Sequence, residues 1–161
     1  PIYVRTHRPR LAQRPTDGNQ NINIDQMNPI ENKLINKHIK PTAMRELVLK
    51  ILSEQTSAVN LSDIEKKFDK ADRVTLYRTL KTFEENKLIH SINDGTGSLK
   101  YALCSDTCQC NPEDLHVHFL CTQCQQTFCL NHVAIPTLQL PTGFAIGTVN
   151  LVVKGTCPTC A

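Results

Sequence analysis

The chain reads as an α+β protein in two parts: an N-terminal helical part that closes in a β-hairpin, and a small strand-rich C-terminal part with a four-cysteine zinc site. Three observations give this reading. Apolar residues recur at helical spacing between Thr42 and Glu85, and two β-prone runs flank Asp94-Gly95-Thr96-Gly97. Two dithiol turns, Cys121-Thr122-Gln123-Cys124 and Cys157-Pro158-Thr159-Cys160, stand about thirty residues apart.

In chain order, Met44, Leu47, Val48, Ile51 and Leu52 fall at i, i+3, i+4, i+7 and i+8, an amphipathic stripe with Thr42 as N-cap after Pro41. A shorter helix starts near Ser62 and turns Ile64 and Phe68 inward. After the Lys70-Ala71 turn, Asp72 caps a third helix running to Glu85. On that helix Leu76, Leu80 and Phe83 share one side, while Arg78 points nearly opposite, flanked by Val74 and Lys81. Leu88–Asn93 and Ser98–Leu103 then form a hairpin. Three helices followed by a hairpin make a winged helix, and a basic outer face on its last helix suits a major groove. Charge and period alone do not separate that role from an ordinary solvated face.

Each cysteine pair ends a β-like run, Val117–Leu120 before one and Leu151–Val153 before the other. A C-x-x-C turn delivers two soft donors from one segment, so two such turns close a tetrahedral Zn²⁺ shell with no open position; the site is structural. A disulfide pair or a redox dithiol is the alternative, but the redox dithiol belongs on a strand-to-helix turn that neither segment resembles.

With 161 residues, 40% of them hydrophobic and 5% aromatic, the chain has modest cores that favour a metal staple. Eight cysteines without a signal-peptide apolar region point to a reducing cytoplasm rather than a secreted disulfide framework. No apolar run approaches the roughly 20 residues of a membrane span. Residues 1–26 carry four arginines against two aspartates without apolar periodicity, and Met27 follows. They read as a disordered extension or expression remnant, with a basic nucleic-acid-binding arm or a transit peptide as alternatives. Residues 33–90 hold 12 basic against 8 acidic groups and residues 91–161 hold 2 against 4, so the first half is the one suited to phosphate. The expected organisation is a winged helix over 27–104, a linker over 105–114 and a zinc-binding part over 115–161.

Thr42-Ala43-Met44-Arg45, Val74-Thr75-Leu76-Tyr77-Arg78-Thr79-Leu80, His116-Val117-His118-Phe119-Leu120-Cys121-x-x-Cys124 and the terminal C-x-x-C together resemble the ferric uptake regulator family over about residues 33–161. The resemblance implies an α/β dimerisation domain, a homodimer on double-stranded operator DNA, and DNA contacts from Lys40, Thr75, Tyr77 and Arg78. One departure is plain. Where the family has a long helix between the knuckles, Val133–Pro141 contains two prolines, which allows only a shortened turn and a smaller dimer surface.

Further donors crowd the second half: Cys104, Cys108, Cys110, His116, His118, Cys129 and His132. In a strand His116 and His118 share a face, although an isolated HxH is more often a pair of half-exposed polar side chains than a metal site. The resemblance makes them sensory ligands. Iron- and peroxide-responsive members place carboxylates and histidines where this chain has Ala58, Ala102 and Cys129, and Tyr101-Ala102-Leu103-Cys104 is similar to the wing-exit segment of zinc uptake regulators. Thiolate with imidazole suits Zn²⁺ over Fe²⁺ or Mn²⁺. The expected regulatory set is therefore Cys104, His116, His118 and Cys129, with His132 as a substitute for one of them; Cys108 and Cys110 read as reduced thiols, with replacement of Cys104 by either, or a redox role, as the alternatives.

The implied function is a metal-dependent, zinc-sensing repressor on a pseudo-palindromic operator, with neither a small-molecule substrate nor catalysis. The rivals are an iron- or peroxide-responsive member of the same family and a zinc-ribbon redox or interaction protein. A hydrolase has little support, since the paired histidines lack a general base such as the glutamate of H-E-x-x-H.

Overall fold

The computed structural model describes residues 28–105, 116–136, 138–147 and 149–161. The expected extension over 1–26, nearly all of the linker, and Cys108 and Cys110 lie outside the described residues. Helix α1 (Pro29–Asn36) was not expected from the sequence. Its start is nevertheless marked: the Asn28 side chain accepts the Ile30 amide, and Pro29 supplies a pre-set φ where no amide is needed. α2 (Ala43–Ser53) begins at Thr42, which accepts the Arg45 amide. Its buried face is rotated from the expected stripe, because α2 packs against both α1 and a later helix, α4 (Arg73–Glu85). Leu49 is therefore buried, whereas Leu47 is half exposed.

A two-residue strand β1 (Val59–Asn60) leads into α3 (Leu61–Glu65), capped by Asn60, one turn-position earlier than the Ser62 start suggested. Asp72 caps α4 as expected, accepting the Val74 and Thr75 amides. Leu34, Val48, Ile64, Leu76, Leu80 and Phe83 form the helical core, all of them 0% exposed. At about 25 cal/mol per Å² of apolar surface, burial of these side chains is what holds four short helices together.

The wing is β2 (Ile89–Ile92) and β3 (Lys100–Leu103), antiparallel, with β1 on the outer side of β3. Its turn uses positive φ at Gly95 and Gly97. The second sheet has the order β5-β4-β6, from β4 (His116–Cys121), β5 (Thr127–Ala134) and β6 (Val152–Gly155). β4 runs antiparallel to β5 and parallel to β6. Among the described residues no helix lies between β5 and β6, as the prolines of that stretch predict. Nor is any described helix long and apolar enough to cross a membrane.

The wing sheet is covered on both sides, and this positions everything below. Ile89 and Tyr101 belong to the helical core. The alternate residues His90 and Lys100 turn toward the second sheet, where they meet His118 and Thr127. The Ala58 amide adds a further tie, donating to the Thr127 carbonyl at 2.7 Å.

Candidate metal centres and the helix facing outward

Cys121 ends β4, and the turn that follows, closed by the Gln125 amide donating to the Cys121 carbonyl at 2.9 Å, brings Cys124 back toward it before a left-handed Gln125 (φ 60°) leads into β5. The second knuckle follows β6, whose parallel pairing with β4 sets Gly155 opposite Cys121. All four sulfurs lie within 4.8 Å of one another as free thiols. Cys124 and Cys157 are 3.9 Å apart, close to the roughly 3.8 Å that a tetrahedron with 2.3 Å Zn–S bonds requires. Backbone amides of Cys124 and Cys157 hold the Cys121 thiol down to about 6. The adjoining Cys157 sulfur pushes Cys160 up to about 12. Four thiolates at this spacing repel one another unless a cation sits among them, so the donor set fits Zn²⁺.

A second cluster joins the two sheets. His116 and His118 share a face of β4 with ring centroids 4.8 Å apart, and Cys129 is the cross-strand partner of His118. The fourth member is His90, reaching over from β2: its Nε2 lies 3.3 Å from His118 Nε2 and 3.4 Å from Cys129 Sγ. The ligand atoms of His90, His116, His118 and Cys129 all lie within 4.8 Å of one another. Cys104, expected in this shell from the sequence, stands one step outside, with Sγ 3.5 Å from the other nitrogen of His90, Nδ1. His132 is exposed and outside the cluster.

The sequence reading missed His90, a single histidine in a strand with no spacing rule tying it to the HxH pair. Burial, and after it the neighbouring His116 and His118, hold His90 down to about 4. Burial and His116 do the same for His118, also to about 4. Both imidazoles are neutral at physiological pH, the form that ligates metal. Burial pushes the Cys129 thiol up to about 11, so a metal entering here must displace its proton. Three imidazoles and one thiol form a donor set that fits Zn²⁺.

Beside this cluster opens a cavity of 180 Å³ lined by Ser57, Ala58, Ala102, Cys129 and Asn131 among others, with no carboxylate in its lining. The positions where the resemblance placed carboxylates and histidines in iron-responsive members are thus gathered in one place. Alanines hold two of them.

On α4, Tyr77 and Val74 are 45% and 53% exposed, and Arg78 and Lys81 are exposed beside them. Thr75 is exposed too, but its hydroxyl donates to Asp72 Oδ2 at 2.8 Å, which ties it to the helix cap. Lys40 lies exposed before α2, where its carbonyl accepts from the Arg45 guanidinium at 2.8 Å. These residues share no site with either cysteine–histidine cluster.

The sequence profile of the ferric uptake regulator family matches residues 36–152. The chain belongs to this family. Its members are metal-responsive transcriptional regulators rather than enzymes. No curated protein matches the sequence. Among solved structures, the ferric uptake regulator of Vibrio cholerae is 16% identical with a TM-score of 0.54, over 79% of this chain and 98% of that one. The ferric uptake regulator of Pseudomonas aeruginosa with manganese is 17% identical with the same TM-score, over 81% and 99%. A zinc uptake regulator complexed with zinc and DNA is 21% identical with a TM-score of 0.58, over 81% and 89%. These likenesses agree with the fold of helices, wing and second sheet described above.

Proposed function

We propose that the protein is a zinc-responsive repressor that binds a pseudo-palindromic operator as a homodimer. The observation that carries this reading is the cluster of His90, His116, His118 and Cys129, whose donors come from both the wing and the second sheet. A divalent ion held there would cross-link the two parts of the chain. The chain's own residues do the rest: His90 draws β2 toward β4 and β5, and the orientation of α4 follows because the wing and α4 share one core. A dimer with that geometry fixed can set two α4 helices in successive major grooves, about 34–36 Å apart.

Zinc is favoured over iron by donor chemistry, since the shell has sulfur and imidazole and the adjoining cavity lacks carboxylates. We take His116 as the fourth donor, supported by its place in the cluster, with Cys104 as its competitor from the far side of His90. The four-cysteine cluster is the structural zinc site, one ion per chain. Tyr77, Arg78, Thr75 and Lys40 are the DNA contacts, Thr75 through its backbone or methyl while its hydroxyl serves the cap. The dimer surface is the outer edge of β5 together with the exposed Leu138, Leu140, Phe144 and Ile146.

Protein purified anaerobically under reducing conditions should bind two Zn²⁺ per chain and hold a selected DNA duplex about 5- to 150-fold more tightly when the second site is filled than when only the four-cysteine site is. Gain of DNA affinity with Fe²⁺ and none with Zn²⁺ would favour the iron-responsive reading instead.

A further inference from the structure

Lys100 and Asp94 form a buried ion pair at 2.8 Å, with side chains 9% and 0% exposed. The Lys100 ammonium uses all three protons: on Asp94, on the Gln125 carbonyl at 2.7 Å and on Thr127 Oγ1 at 2.9 Å. The Thr127 hydroxyl donates in turn to Asp94 Oδ2 at 2.6 Å, and the other carboxylate oxygen accepts the Thr96 amide at 2.9 Å. Lys100 and Asp94 belong to the wing, whereas Gln125 and Thr127 belong to the exit of the first cysteine knuckle and the start of β5. A buried lysine is costly unless fully paired, and here every bond it makes outside its own hairpin crosses to the second sheet.

The place of this network matters as much as its bonds. On β5, Thr127 and Cys129 are two residues apart and so share a face; on β4 their partners are Leu120 and His118. On the wing, Lys100 pairs with Ile92, two residues from His90 on the same face of β2. The ion pair and the metal cluster are therefore adjacent rungs of one sheet-on-sheet contact, about 7 Å apart along the strands. Within the cluster, it is His90 that carries β2 to His118 on β4 and Cys129 on β5.

We propose that the Asp94–Lys100–Thr127 network is the positioning device of the regulatory site, pressing the wing against the knuckle exit so that His90 is already in reach of His118 and Cys129 before metal arrives. The inference rests on the reading of the second cluster as a metal site. It makes Lys100 a residue that acts on metal affinity through His90 rather than as a ligand. It also places the four-cysteine knuckle in the sensing path, since the turn after Cys124 supplies Gln125 and Thr127 to Lys100.

The test is a double-mutant cycle on the full chain with its knuckle zinc in place, titrated with Co²⁺ under reducing conditions and read by thiolate–Co²⁺ charge transfer and by competition with a chelator. Lys100→Met should weaken Co²⁺ binding about 5- to 150-fold, the range of typical coupling between sites, while knuckle zinc and circular dichroism stay as in wild type. Lys100→Arg should recover part of the loss. In a His90→Ala background Lys100→Met should change the residual affinity little, because the residue it positions is gone. In metal-free protein, amide exchange of the β2–β3 hairpin should quicken in Lys100→Met. Thr127→Val, which removes the hydroxyl that bonds both Lys100 and Asp94 across the two sheets while leaving the ion pair intact, serves if Lys100→Met does not fold, and is expected to weaken binding in the same His90-dependent way. Equal Co²⁺ affinity in wild type and variant, or an equal loss with and without His90, overturns the positioning role. Wild type that takes up no second metal at all overturns the metal-site reading, and this inference with it.

Discussion

His90 Nε2 lies 3.3 Å from His118 Nε2, although the two residues sit in different sheets and 28 positions apart. Two neutral imidazoles placed this way can share one proton at most, and a thiol approaches the same His90 nitrogen at 3.4 Å. An ion held there would satisfy all three donors at once, which supports the proposal that this contact is a metal site rather than core packing.

The protonation states give the pH dependence of that shell. His90 and His118 are held near 4, so between about pH 7.5 and 8.5 they have no proton to lose; Cys129, near 11, has one. Zinc affinity at this site should therefore rise about tenfold per pH unit in that window, by linkage to one released proton. In Cys129→Ala the slope should fall to about zero alongside a weaker affinity. Competition titrations at three pH values measure it, and a slope unchanged by the mutation would place the released proton elsewhere.

The four-cysteine cluster is expected to behave as a staple. Cys121→Ser or Cys157→Ser should lose about one zinc per chain and unfold or monomerise the C-terminal part, since structural zinc supplies much of the folding free energy of small domains. Metal analysis with sedimentation decides this. Retained zinc in a dimeric variant would contradict it.

Operator recognition should divide by contact type. Arg78→Ala and Tyr77→Ala are each expected to cost about 1–3 kcal/mol of binding, and Lys40→Ala to reduce the salt slope, with folding intact in all three. Binding isotherms over a range of salt concentrations separate these effects. Unchanged affinity and slope across the three would remove α4 from the interface.

The buried ion pair carries a stability prediction of its own. Burial alone would raise the Asp94 carboxyl, but hydrogen bonds from Lys100, Thr127 and Thr96 outweigh it and hold the group below the usual carboxylate range. Its folded pKa is depressed, so the stabilisation is present above about pH 4 and lost as pH falls toward the folded value. Lys100→Met strands that carboxylate and should cost about 3–5 kcal/mol, whereas Lys100→Met with Asp94→Leu should recover much of it. Denaturant melts at neutral pH check the ordering.

Much of this was legible in the sequence because the signals were local. Asp72 sits directly before an apolar stripe, Gly95 and Gly97 mark the hairpin, and the C-x-x-C spacing brings its own geometry. α1 escaped because its eight residues bury only Leu34 fully, although Asn28-Pro29 is a readable start signal. Leu49 stands outside the stripe read on α2, yet it is buried, because helical period does not reveal that two neighbours cover the helix. His90 and Lys100 were illegible for one shared reason: each looks like a polar residue on a solvated hairpin until the second sheet is laid over the wing. That contact is long-range, and no spacing rule anticipates it.

The most direct test of the central claim measures zinc-dependent DNA binding in wild type and His90→Ala, each with the four-cysteine site loaded, on a duplex selected from random sequence with zinc-replete wild-type protein. Zinc should tighten wild-type binding about 5- to 150-fold. His90→Ala should bind DNA with the affinity of wild type lacking its second zinc, whatever zinc is added. A full zinc response in His90→Ala would contradict the account, because the link between wing and second sheet would then play no part in sensing.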